Sequence, residues 1–143
     1  MDYSGQGCSV ALWKFVVYCP PGGSCPFEEW CLAQDEDVRA LCMITLGFLE
    51  KESDWHTRTN KFKPLWRAHR GLGEIRFLIP GAPVRRFRPL GIWPPRIQRE
   101  FVLLTGCEKP ARGQYVPANA LELALHYRSL LADGIGGVRG LRI

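Results

Sequence analysis

The run FVLLTGC at residues 101–107 constrains the fold most, because its apolar residues fall on both faces of an extended strand. A strand with one solvated face alternates apolar and polar residues, whereas a strand covered by neighbours on both faces does not. The run therefore predicts a central strand of a sheet.

Three other segments alternate with a period of two, which is typical of strands: Val10–Cys19, Gly73–Ile79 and Val84–Leu90. The proline-rich segment at 89–99 follows the last of them as an excursion. Residues 53–73 show no clean period and predict a long cationic connection.

Three helices are predicted between and after these strands. A short helix follows the turn at 20–23, and a longer one with acidic residues at its start spans about Asp35 to Lys51. The last begins near Pro117, with a buried stripe typical of a packed helix. The glycine-rich segment 134–143 predicts a flexible tail.

This order predicts a single α+β domain over residues 1–143, with a small, mainly antiparallel sheet of about four strands and its helices packed on one face. Alternation directs Arg76, Arg86 and Arg88 away from the apolar side of their strands. The other face of the sheet would then be free to meet a ligand, with these arginines on it.

Charge is strongly segregated along the chain. Residues 1–54 hold nine acidic and three basic residues, whereas residues 55–99 hold eleven basic residues and one acidic residue, Glu74. Such a distribution predicts a positive surface suited to an anionic partner. A pairing of Arg76 with Glu74, two residues away on the same strand face, is the structural alternative.

The six cysteines form no CxxC pair and predict reduced, structural thiols. A metal bound by Cys19, Cys25 and Cys31 is the weaker alternative, so we predict no metal and no cofactor. No apolar run is long enough to cross a bilayer, and the start Met1-Asp2 lacks the features of a secretory signal. We therefore expect a cytoplasmic protein without a membrane partner.

Several local motifs, in their order along the chain, resemble the RelE/ParE-like toxin superfamily, and in particular its HigB-type branch. The similarity runs from about Leu12 to Leu131. The motifs are GSCPFEEW at 23–30, FKPL at 62–65, GLGEIRF at 71–77, RRF at 85–87, LLTGCEK at 103–109 and the helix opening YVP at 115–117. The second family lysine is here Pro110, and Cys107 stands where phenylalanine is usual.

Nuclease members of this superfamily cut translated mRNA without a metal, by attack of a ribose 2′-hydroxyl on the adjacent phosphorus. The resemblance implies catalytic roles for Arg76, Arg86 and Lys109. The two arginines would stabilise charge on the phosphoryl oxygens, since a planar guanidinium holds two of them. Lys109 is one candidate for the base, beside His69 and His126. The predicted RNA-binding residues are Arg88, Arg112, Lys61, Lys63, His69 and Tyr115.

Aromatic residues are a further set of candidates. Trp66, Trp93 and Tyr115 are able to stack on unpaired bases, and burial of Trp93 under the excursion is an alternative.

The resemblance implies mRNA, the ribosome and a small helix-turn-helix antitoxin as partners. An alternative function is a non-enzymatic inhibitor, like the ParE-type members or carried by a phage or mobile element, that binds a host protein or RNA. Fold alone does not separate the two functions.

Overall fold

The computed structural model describes residues 11–143. Its strands are β1 (Lys14–Cys19), β2 (Phe62–Pro64), β3 (Leu72–Ile75), β4 (Phe77–Ile79), β5 (Arg85–Ile92), β6 (Glu100–Glu108) and β7 (Gly137–Gly140). Its α-helices are α1 (Pro26–Leu32), α2 (Glu36–Glu50), α3 (Trp55–Arg58) and α4 (Ala120–Ala132), and a 3-10 turn covers Arg67–His69. The predicted long helix and central strand correspond to α2 and β6.

Within residues 11–143 the strands form one seven-stranded sheet in the order β2-β3-β5-β6-β1-β7, and β4 pairs with β5. Strand β6 lies between β5 and β1, which confirms its predicted central position. It runs parallel to β1, with Phe15 opposite Phe101, whereas the pairings of β5 with β6 and of β1 with β7 are antiparallel. The sheet is therefore mixed.

Helices cover both faces of this sheet. Alternate residues of β1 enter different cores, because successive side chains of a strand point to opposite faces. The core under α1 and α2 includes Phe15, Val17, Phe27, Leu46, Phe101 and Leu103. The core under α4 includes Val16, Tyr18, Val102, Leu104, Leu121 and Ala124.

The predicted fold was wrong in the size of the sheet and in the position of its helices. The chain has both helices and strands, as expected of an α+β protein. Over residues 11–143, however, its sheet has seven strands, one parallel pairing and helices on both faces. The apolar stripe of α4 packs on the face that was expected to be free, because Val102 and Leu104 of β6 present apolar side chains there. The excursion is also shorter than predicted, since β5 continues to Ile92.

The glycine-rich segment 134–143 contains strand β7 and differs from the flexible tail that the sequence predicted. Arg139 of β7 donates from Nη1 to Oε2 of the buried Glu28 at 2.9 Å and from Nη2 to Oε1 of the same carboxylate. The backbone N–H of Arg142 also donates to Glu28, at 2.6 Å. One buried carboxylate thus ties the end of the chain to α1.

We predict that Arg139→Ala lowers the free energy of unfolding by about 3 kcal/mol, because it leaves the buried Glu28 carboxylate without its counter-charge. Arg142→Ala is the matched control: it removes the same kind of side chain but keeps the backbone N–H that binds Glu28. We expect this control to stay within about 0.5 kcal/mol of the wild type in urea unfolding. Equal losses in the two variants would contradict the role given to the ion pair.

The cysteine prediction needs a correction. Cys19 and Cys25 form a disulfide across the turn between β1 and α1, whereas Cys31, Cys42 and Cys107 are free and buried. Cys8 lies outside the described residues. The bonded pair is not available to the cysteine metal site that was the alternative.

Over residues 11–143, every helix is too short or too polar to span a bilayer.

Candidate nucleic-acid interface

The register of three neighbouring strands brings basic residues into one row. Phe62 of β2 pairs with Ile75 of β3, so that Lys61 lies opposite Arg76 one position further along. The pairings of β5 with β3 and with β4 follow a single register, in which Arg76 lies opposite Arg88. Three cationic side chains therefore begin at adjacent positions across the sheet.

A second row of basic residues lies beside the first. Phe87 of β5 pairs with Glu108 of β6, which places Arg86 opposite Lys109. The backbone N–H of Lys109 donates to the carbonyl oxygen of Arg86 at 2.8 Å. Arg86 and Arg88 lie on the same face of β5, because they are two residues apart.

The two rows border an open cleft of about 360 Å³. Its lining includes four basic side chains, and the rest is apolar or neutral. The lining residues are Lys61, Arg76, Arg86, Arg88, Leu41, Thr45, Asn60, Phe77 and Leu78. The structure thus brings together the three strand arginines that the sequence placed on one side.

Pro89 explains why the strand predicted over Gly73–Ile79 is interrupted at Arg76. In the register of β5, Pro89 lies opposite Ile75, and proline has no N–H to donate to a ladder. The N–H of Arg76 points to the other neighbour, β2, and donates to the carbonyl oxygen of Lys61 at 2.7 Å. The break between β3 and β4 therefore falls at the residue that lines the cleft.

The buried carboxylate of Glu74 contacts two of the arginines that line the cleft. Only 2% of Glu74 is exposed, and its Oε2 accepts a 2.7 Å hydrogen bond from Nε of Arg76. Nε of Arg88 lies 3.2 Å from the same oxygen, an ionic contact without hydrogen-bond alignment. The hydroxyl of Tyr115 donates to Oε1 at 3.0 Å. Like charges on Arg76 and Arg88 would repel across the strands, and Glu74 offsets that repulsion.

Burial sets the protonation of the groups around Glu74. It lowers the pKa of Arg88, and the negative charge of Glu74 acts in the opposite direction. Burial and then the Glu74 charge raise the pKa of Tyr115 above its ordinary value, so its phenol remains a proton donor at neutral pH. Burial also raises the pKa of the Cys107 thiol to about 12, which keeps it uncharged.

The balance of formal charge in this region is positive. Four basic side chains line the cleft, and Glu74 supplies one negative charge, which leaves a net charge of +3 from these five groups. Lys109 adds to this charge from the neighbouring row, with its Nζ 5.2 Å from the centre of the Tyr115 ring. An anion that enters the cleft would therefore meet a positive surface with an opening to solvent.

Of the other predicted RNA-binding residues, two lie near Glu74 and two lie away from the cleft. Lys63 is exposed and lies opposite Glu74 in the strand register, and Tyr115 reaches Glu74 from the loop before α4. His69 lies elsewhere and forms a 3.3 Å ion pair with Glu122 of α4 when its ring is protonated. Arg112 is exposed and does not line the cleft.

The aromatic candidates and His126 also lie outside the lining. Trp66 is 61% exposed, whereas Trp93 stacks on Trp13 and Trp55 in the core under α1 and α2, so the burial alternative holds for Trp93. His126 is exposed on α4 beside Tyr127. We therefore do not include these residues in the candidate site.

Sequence reasoning understated Glu74. It treated this residue as a possible partner of Arg76 alone, whereas the carboxylate also contacts Arg88 and Tyr115. The alternation Glu74-Ile75-Arg76 was visible, but the contact with Tyr115 joins residues 41 positions apart and leaves no local pattern.

Among residues 11–143, no group of three or more His, Cys, Asp or Glu side chains is placed to hold a metal ion. Comparisons with protein-family models, with curated protein sequences and with solved structures found no match. The geometry of the cleft and the motif resemblance therefore remain as the basis for a functional proposal.

We predict that Glu74→Gln lowers the free energy of unfolding by about 3 kcal/mol, because an amide keeps the shape of the side chain but leaves the largely buried Arg88 unpaired. Glu122→Gln makes the same chemical change at an exposed ion pair and should cost less than about 1 kcal/mol. Chemical denaturation of both variants measures the difference. If the Glu74 variant were as stable as its control, Glu74 would not organise the cleft.

Proposed function

We propose that this chain is the toxin of a toxin–antitoxin pair of the RelE/ParE-like kind, and that it cleaves translated mRNA without a metal. The observation that carries the proposal is the convergence of Lys61, Arg76, Arg86 and Arg88 on one open cleft. Phosphodiester groups are the anions that such a set of basic side chains suits best in a nucleic acid.

The arginines of the cleft have different roles in this proposal. Glu74 orients Arg76 and neutralises part of its charge. In contrast, no carboxylate of residues 11–143 lies within ion-pair distance of Arg86. Arg86 is therefore the residue that we assign to the phosphoryl oxygens most directly. Arg76 is held at a fixed angle beside it, which limits the entropy lost on binding.

The reaction that we propose is transesterification. The 2′-hydroxyl loses its proton, its oxygen bonds to phosphorus and the bond from phosphorus to the 5′-oxygen breaks. The products are a 2′,3′-cyclic phosphate and a 5′-hydroxyl, which gains a proton. The arginines stabilise the negative charge that grows on the phosphoryl oxygens. Of the three candidate bases, Lys109 is the one that lies opposite a lining residue, Arg86, in the strand register, so we assign proton transfer to it.

The proposal includes the partners that the motifs imply. The RNA would be mRNA on the ribosome, in the cytoplasm, and the inhibitor would be a helix-turn-helix antitoxin. We propose that an acidic segment of the antitoxin covers the cleft, because a net charge of +3 is available there from the lining and Glu74.

The pairing of Arg76 with Glu74 favours a second candidate function. An arginine that is already bonded to a buried carboxylate has less charge to offer a transition state. The alternative is therefore a non-enzymatic inhibitor that uses the same cleft to bind a host RNA or protein. Product analysis separates the two functions.

We expect Arg86→Ala to reduce cleavage of a reporter mRNA at least about a hundredfold in a translation extract, because it removes a donor to the developing charge. The matched control is Arg96→Ala, which removes an arginine from a separate cavity beside α4 and should change the rate less than about threefold. Primer extension maps the cuts, and circular dichroism checks that each variant is folded.

The end groups provide a further criterion in the same experiment. Cleavage by the wild type should leave 5′-hydroxyl ends, and a 2′-deoxy nucleotide at the cut site should prevent it. Inhibition of translation without any cut would contradict the nuclease and support the binding alternative. Equal effects of the two arginine variants would contradict the assignment of the cleft.

We also predict that binding of an acidic antitoxin peptide weakens at least about tenfold between 50 and 300 mM salt, because salt screens the attraction between opposite charges. Arg86→Ala should reduce both the affinity and its dependence on salt. Fluorescence anisotropy measures both quantities. An affinity independent of salt would rule out the charge-based docking mode.

A further inference from the structure

Helix α2 is apolar on two opposite sides. One side packs into the core under α1 and α2 through Val38, Cys42, Leu46 and Leu49. The other side carries Ala40, Met43, Ile44 and Gly47, which we call the outer stripe. Ile44 is 67% exposed and Met43 is 38% exposed. A helix on the surface of a protein normally presents polar residues to solvent, so the outer stripe needs a separate explanation.

The outer stripe is continuous with other exposed apolar residues. A groove of about 270 Å³ beside it is lined by these apolar residues and two charged ones: Leu32, Ala40, Met43, Ile143, Glu36 and Arg39. Leu32 is 60% exposed and Ile143 is 41% exposed. No atom of residues 11–143 lies within 4 Å of the position that a Cβ of Gly47 would take, so another helix is able to approach the backbone there.

Opposite charges stand at the two ends of the outer stripe. At about 100° per residue, Glu36 and Lys51 share the direction of the stripe, one before its first residue and one just after its last. Both are exposed. Asp37 and Glu50 are rotated roughly 70° from the centre of the stripe, on either side of it. The stripe therefore has one acidic end and one basic end, and Arg39 flanks it on the side of the groove.

We propose that the outer stripe is a homodimer interface, in which α2 packs antiparallel against α2 of a second copy about a twofold axis between Met43 and Ile44. This arrangement places Glu36 of each copy near Lys51 of the other. It also places Ala40 opposite Gly47, so that small residues face each other and the helices pack closely.

Self-complementarity is the reason to choose a second copy over another partner. A twofold axis repeats each contact, so an acidic end meets a basic end twice in one interface. Antiparallel packing also sets the positive end of one helix dipole beside the negative end of the other. An acidic antitoxin segment would match Lys51 but would meet Glu36 as a like charge.

The dimer leaves the proposed RNA cleft open. Leu41 and Thr45 line that cleft from another side of α2, rotated by roughly a third of a turn from the outer stripe. Each dimer would therefore carry two clefts. Dimerisation does not depend on the proposed nuclease function, so an experiment that contradicts one proposal leaves the other unaffected.

Sedimentation velocity of the full chain between about 1 and 200 µM tests the proposal. We expect a monomer–dimer equilibrium in the wild type. Ile44→Glu should weaken dimerisation at least about tenfold, because it places two like charges near the twofold axis. Ile44 is largely exposed, so this variant is expected to fold, and circular dichroism checks it.

Charge reversal tests the pairing of the ends. Glu36→Lys and Lys51→Glu should each weaken dimerisation about tenfold, and the double variant should return to within about threefold of the wild type. Asp37→Lys is the control, since it makes the same change in the same helical turn but away from the stripe. A monomeric wild type, binding of the stripe to an antitoxin instead, or a double variant weaker than both single variants would overturn the proposal.

Discussion

The candidate site depends on one buried carboxylate between two arginines. Glu74 is 2% exposed, and desolvation of its charge is unfavourable unless partners compensate it. Arg76, two residues away, supplies that compensation together with Arg88 and Tyr115 from two other parts of the chain. The same contacts fix two basic side chains at the base of the cleft. Stability and the proposed function therefore use the same contacts.

The sheet supplies the second constraint. Lys61, Arg76 and Arg88 meet because β2, β3 and β5 are in one continuous register, and Pro89 interrupts that ladder at the cleft. A shift of one residue in any pairing would turn these side chains to the opposite face. The large cores on both sides of β6 fix the strand register, because alternate residues of the strands are buried in different cores.

Local patterns in the sequence were sufficient to predict some of the helices and strands but not others. The helix α2 and the strand β6 have long apolar patterns, and both were predicted within a residue or two. Strand β7 was missed because its glycines carry no strand pattern, and its anchor joins Glu28 to Arg139, 111 positions away. The predicted position of α4 was wrong because the apolar stripe of a helix does not specify which face of a sheet the helix covers.

The central claim is that Arg76 and Arg86 hold one phosphodiester in the same cleft. The most direct measurement is NMR of the arginine Nε–Hε groups during titration with an RNA dinucleotide that carries a 2′-deoxy group at the cut site. We expect the signals of Arg76 and Arg86 to shift together and to saturate with one affinity, while that of Arg96 stays unchanged. Shifts confined to arginines outside the cleft, or no shift at all, would contradict it.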